Sequence, residues 1–196
     1  MRRDQLEHII RAAGSILAED GVIVIGSQAI LGEHPFDAPP ITLESMEADI
    51  LPLSDPDESK ADLVSGTIGE ESMFHTTFRI YGHGVSEDTA ILPSGWRERL
   101  VCLRNENTRQ VTGYCLETHD LLVSKYAAGR PKDLKFCASV IEAGLVQEDT
   151  LLDRLRGTDV PPERREWVAN AIRRDFMAVC GEGPDTPPLG GSGPDL

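Results

Sequence analysis

The sequence predicts an α+β fold, a small mixed β-sheet flanked by helices and followed by a helical C-terminal part. Three observations predict it. Short β-rich or alternating runs fall between residues 22 and 116; helical spacing opens the chain and resumes at Thr118; and Gly or Pro marks most changes of pattern. A chain of 196 residues suits one domain, or one domain with a helical appendage, and a hydrophobic content of 40% supplies a core.

The elements follow in order. Leu6, Ile9, Ile10, Ala13, Ile16 and Leu17 recur every three or four residues, so a helix is expected over 3–20, stopped by Gly21. The wholly apolar run 22–25 reads as a buried strand that ends at Gly26-Ser27. Residues 28–31 open a helix, and 32–44, with Pro35, Pro39 and Pro40, read as a loop. The next strand is 47–51, closed by Pro52; alternation puts Glu47 and Asp49 on one face and Ala48 and Ile50 on the other. Asp55 or Asp57 caps a helix over 57–66. Strands are expected over 74–81 and 89–92, and 100–104 with 110–116 as a hairpin. Helices follow over 118–128, 131–143, 148–156 and 162–180, with Thr118 and Thr150 as caps and Gly129, Gly144, Gly157 and Gly181 as stops. The division expected is a core over 1–117, a helical part packed on it over 118–180 and a disordered tail over 181–196, where Gly or Pro fills nine of 16 positions.

The net charge of −14 disfavours a general nucleic-acid binder or a protein of anionic membrane surfaces, since both need clustered Lys and Arg. It is compatible with a metal-dependent enzyme, because hard cations need carboxylates. The charge is uneven. Residues 1–100 hold 7 basic and 18 acidic residues, whereas 101–180 hold 12 of each. Cys102, Cys115, Cys137 and Cys180 form no C-x-x-C pair, so neither a zinc site nor a disulfide framework is expected. The N-terminus lacks the apolar stretch of a signal peptide and no run is long enough to span a membrane, so a soluble, cytoplasmic protein is expected.

Two constellations carry candidate chemistry. Gly26-Ser27 at a strand end offers backbone and hydroxyl donors to a phosphate, and Glu47 and Asp49, some twenty residues on, can hold magnesium. Farther along, Lys125, Arg130 and Lys132 fall within eight residues and end beside Asp133, giving cations to set against a triphosphate. Other residues read as structural. His75, His83 and His119 are scattered, Gly82-His83-Gly84-Val85 reads as a flexible turn, Trp96 and Trp167 read as core, and Ser27 lacks the partners of a hydrolase triad.

The segments G-S-Q-A-I-L-G at 26–32, S-M-E-A-D at 45–49, T-A-I-L-P-S-G-W-R-E-R-L at 89–100 and H-D-L-L-V-S-K-Y-A-A-G-R-P-K-D at 119–133 occur together and in order. Over roughly 1–157 the chain resembles a bacterial branch of the polymerase-beta-type nucleotidyltransferase superfamily, near the toxins of abortive-infection systems. The resemblance implies a nucleotidyltransferase-like sheet in which Gly26 and Ser27 contact nucleotide phosphates and Glu47 and Asp49 bind Mg2+ or Mn2+. It implies that Lys125 contacts phosphate or helps activate the acceptor, with Arg130 or Lys132 assisting, and that Asp133 completes the site. The activity implied is transfer of a nucleoside monophosphate from an NTP to an acceptor, whether protein, small molecule or short RNA end, with a protein partner as in toxin–antitoxin pairs.

Two departures motivate a second reading. The first metal position is ordinarily Asp and is here Glu47, and the third carboxylate of such sites has only Glu87 and Asp88 as candidates. The alternative is a catalytically degenerate member that binds nucleotide or protein as a regulatory module.

Overall fold

The computed structural model describes residues 1–181, so the tail expectation falls outside the described residues except at Gly181, which closes the last helix. A mixed five-stranded sheet with flanking helices precedes a helical C-terminal part, the α+β class expected. Helix α1 (Arg3–Leu17) turns Leu6, Ile9, Ile10 and Ala13 fully into the core. It ends earlier than its periodicity suggested, at Ala18, which adopts a left-handed φ of 52°. Gly21 is the first residue of strand β1 (Gly21–Ile25) and not the helix stop. The Tyr114 ring lies against it where a β-carbon would stand.

All five residues of β1 are buried, as its apolar run requires of a strand covered on both faces. A short turn over Ser27–Ala29 leads into helix α2 (Ile30–Glu33), and strand β2 (Glu47–Leu51) returns antiparallel with Ile25 opposite Asp49. Its alternation is as expected, with Ala48 and Ile50 wholly buried.

Helix α3 (Ser59–Ile68) crosses over; the Asp55 carboxylate accepts from the Lys60 and Ala61 amides at its start. Residues 74–81 are not a strand. Helix α4 (Met73–Phe78) occupies most of them, capped by the Ser72 hydroxyl, which accepts from the His75 amide at 3.1 Å. Phe74 and Phe78, four residues apart, lie on one side of the helix and stack with each other and with His8 of α1. That pairing outweighs the β-preference of Thr76 and Thr77.

Strand β3 (Tyr81–Gly84) follows and lies parallel to β2, so the expected flexible turn is a strand. Residues 89–92 form none. Glu87–Thr89 is a short 3-10 turn, and the apolar residues after it meet no partner strand. Strands β4 (Val101–Leu103) and β5 (Thr112–Cys115) form the expected hairpin, and the sheet order is β3-β2-β1-β5-β4. Buried Glu7 ties the hairpin loop to α1, accepting from Arg3, Asn105 and Asn107.

Helices α5 (Thr118–Ala128), α6 (Pro131–Glu142), α7 (Glu148–Arg156) and α8 (Pro162–Gly181) fall where the sequence placed them. Their starts differ in detail. Glu117, not Thr118, caps α5 by accepting from the Asp120 amide, and Thr150 lies inside α7. Helix α5 is the central one, buried along most of its length, and Tyr126 ties it to Asp175 of α8. Trp96 is in the core as expected, whereas Trp167 is 40% exposed beneath the Arg164 guanidinium. No described helix is long and apolar enough to cross a membrane.

Candidate active site

One cleft of about 1080 Å³ opens where the end of β1, the start of β2 and the middle of β3 meet α5 and the first turns of α6. Its sheet wall is built by register. Antiparallel pairing sets Asp49 beside the end of β1, and parallel pairing sets Tyr81 beside Glu47 and His83 beside Asp49. Glu47 and Asp49 therefore share one face, and His83 stands beside them. The His83 Nδ1 lies 3.1 Å from Glu47 Oε1 and 3.8 Å from Asp49 Oδ1.

Gly26 makes room for this wall. Its φ of 69° with ψ of −167° belongs to glycine, and a β-carbon there would overlap the Asp49 carboxylate. The strand-ending glycine and the carboxylate, 23 positions apart in sequence, form a single steric unit.

Burial, and after it the charge of Glu47, push the Asp49 carboxyl up to about 6, against the pull of His83, Lys125 and Lys132. Two carboxylates held this close favour a cation between them. One ligand atom each from Glu47, Asp49 and His83 lies within 4.8 Å of the others, a donor set that fits a divalent ion.

The opposite wall carries the cations. Lys125 is buried on α5; its Nζ donates to Ser27 Oγ at 2.9 Å and to Asp133 Oδ1 at 3.1 Å, and lies 4.4 Å above the Phe136 ring. Arg130 bonds the other oxygen of the same buried Asp133. Arg130 and Lys132 are exposed and line the same cleft.

The cleft thus brings together Gly26, Ser27, Glu47, Asp49, Lys125, Arg130, Lys132 and Asp133, drawn from positions more than 100 residues apart. It does not bring in the proposed third carboxylate. Asp88 is exposed and bonds Ser86, Glu87 pairs with Arg97, and neither belongs to the cluster around Asp49. His83 and Phe136 are the residues that sequence reasoning passed over. The alternation of Tyr81 and His83 with Gly82 and Gly84 was the available signal, a period-two pattern with one face reduced to backbone.

A protein-family model described as "Nucleotidyltransferase of unknown function (DUF6036)" matches residues 4–158, more than half of the chain. No curated protein and no solved structure matches it.

Proposed function

The chain belongs to this family of nucleotidyltransferases, and from that premise we propose that it transfers a nucleoside monophosphate from an NTP to an acceptor with divalent-metal assistance. The observation that carries the proposal is the opposition, across one cleft, of the Glu47–Asp49 pair and the Lys125–Ser27 contact. A bound Mg2+ or Mn2+ supplies charge neutralisation to the reacting phosphate. Glu47 and Asp49 hold it. Ser27 and Lys125 would offer the triphosphate a hydroxyl and an ammonium, and Arg130 and Lys132 would neutralise its outer charge. An acceptor hydroxyl oxygen then bonds to the α-phosphorus as the bond to the bridging oxygen breaks; the hydroxyl proton passes to solvent and pyrophosphate leaves. Catalysis is positioning plus charge stabilisation, the mode general to phosphoryl transfer. Asp133 positions Lys125 and Arg130, since its two oxygens are occupied by them.

Pyrophosphate release from each of the four NTPs, with Mg2+ or Mn2+ and with protein, RNA and small-molecule acceptor pools, tests the reading. Glu47→Ala/Asp49→Ala is expected to lower turnover at least a hundredfold. Equal turnover in both proteins overturns the assignment, and metal-dependent NTP binding without turnover replaces it with the binding-module reading. We place the chain near the toxin-like branch on its sequence motifs, with a cytoplasmic setting and a protein partner as parts of that proposal.

A further inference from the structure

Strand β3 reaches the cleft as Tyr81-Gly82-His83-Gly84, and its backbone is held tightly on the side away from the cleft. A β-carbon on Gly82 would stand 2.9 Å from the Ile68 side chain and 3.1 Å from that of Ile9. A β-carbon on Gly84 would overlap the Ala61 carbonyl of α3. The Gly84 amide donates to Ser65 Oγ at 2.9 Å and the next amide, of Val85, to the Ile50 carbonyl. The strand is thus clamped between β2 and α3, and its only side chain between two glycines is the imidazole of His83. Among the described residues, the ion-pair partners of that imidazole are Glu47 and Asp49.

We propose that His83 is a ligand of the divalent cation held by Glu47 and Asp49, and that its nitrogen selects Mn2+ or a similar first-row ion over Mg2+. Three separate observations point the same way. The β2–β3 register sets His83 directly beside Asp49. Its Nδ1 lies close to oxygens of both carboxylates, and ligands on one such ion stand about 3 Å apart when bonds are about 2.1 Å. The backbone that carries it is fixed between β2 and α3, so its Cα keeps its place beside Asp49. The chemistry then sets the preference. Mg2+ favours oxygen donors and keeps its water, whereas imidazole suits first-row transition ions. A carboxylate in the same place, a donor that suits Mg2+ and Mn2+ alike, would reduce that preference.

The inference rests on the proposed metal role of Glu47 and Asp49, and the experiment separates the two. Mn2+ binding to the full chain is read by electron paramagnetic resonance, with electron spin-echo modulation to detect a directly bound 14N, and Mg2+ affinity is read by competition. Wild type is expected to show the 14N coupling and at least a tenfold preference for Mn2+. His83→Ala should lose the coupling and weaken Mn2+ at least tenfold with a smaller effect on Mg2+, and His83→Asp should move the preference toward Mg2+. Because His83 is half-exposed, far-ultraviolet circular dichroism in EDTA should be unchanged in both variants, which guards against misfolding as the cause, while the added carboxylate of His83→Asp should lower metal-free melting by like-charge repulsion from Glu47 and Asp49. Mn2+ bound without nitrogen coupling, and lost in Glu47→Ala/Asp49→Ala, overturns the role of His83 and leaves the carboxylate pair standing. Failure of wild type to bind Mn2+ or Mg2+ overturns both.

Discussion

Asp49 is the residue on which the most physics converges. It fills the space that Gly26 leaves open, is paired in register with His83 and is repelled by Glu47. Its folded-state value of about 6 exceeds the ordinary 3.8, so the folded state holds the proton more tightly than the unfolded chain does. Its contribution is therefore fully present below pH 3.8 and lost as pH rises through about 6. Asp49→Asn removes that dependence. In EDTA at pH 7.5 the variant should melt about 5–10 °C higher than wild type, and the gap should close toward pH 4, as read by scanning fluorimetry. Saturating Mn2+ should reverse the order, because only wild type gains from the metal. An unchanged gap across pH would show that the carboxylate is solvated in the fold.

At the scale of elements, α4 shows how a local signal can be misassigned. Thr76 and Thr77 are β-formers, yet Ser72 satisfies an otherwise orphaned amide and Phe74 and Phe78 meet at helical spacing. Ser72→Ala should cost about 1 kcal/mol in urea unfolding. It should leave metal affinity unchanged, since α4 lies outside the cleft. The helices from Thr118 onward were legible because they are long segments of helix-forming residues that close at glycines such as Gly129, whose φ is 67°. The strands at the site were legible in part. The spacing of Glu47 and Asp49 revealed their shared face, but β3 was hidden because backbone, not side chains, fills its inner face. Glu87 and Asp88 do not join the face shared by Glu47 and Asp49, because the chain before Thr89 is a turn and not a strand. Pairing across the sheet, invisible in a linear pattern, is what brings His83 to Asp49.

At the scale of the molecule, the uneven charge seen along the chain becomes an arrangement in space. The acidic half supplies the Glu47–Asp49 wall and the balanced half supplies Lys125, Arg130 and Lys132 opposite. Most of the other carboxylates take no part in it. A ligand that binds only the folded form stabilises it by mass action. Mn2+ at about a hundred times its dissociation constant should add about 2.7 kcal/mol and raise the melting temperature by about 5–10 °C. The shift should vanish in Glu47→Ala/Asp49→Ala.

The Lys125 contacts carry a consequence for the whole chain. A lysine free in water samples many rotamers, and fixing one costs up to about 2 kcal/mol of entropy. Here Ser27, Asp133 and the Phe136 ring fix the ammonium before any nucleotide arrives, joining the end of β1 to the fifth and sixth helices. That disorder is surrendered once, when the chain folds, and under the proposed function an incoming phosphate would meet a charge already aimed. Under the proposed function, affinity at this position is written into the folding reaction, and weakening the fold around Asp133 would blunt nucleotide capture without touching a nucleotide contact.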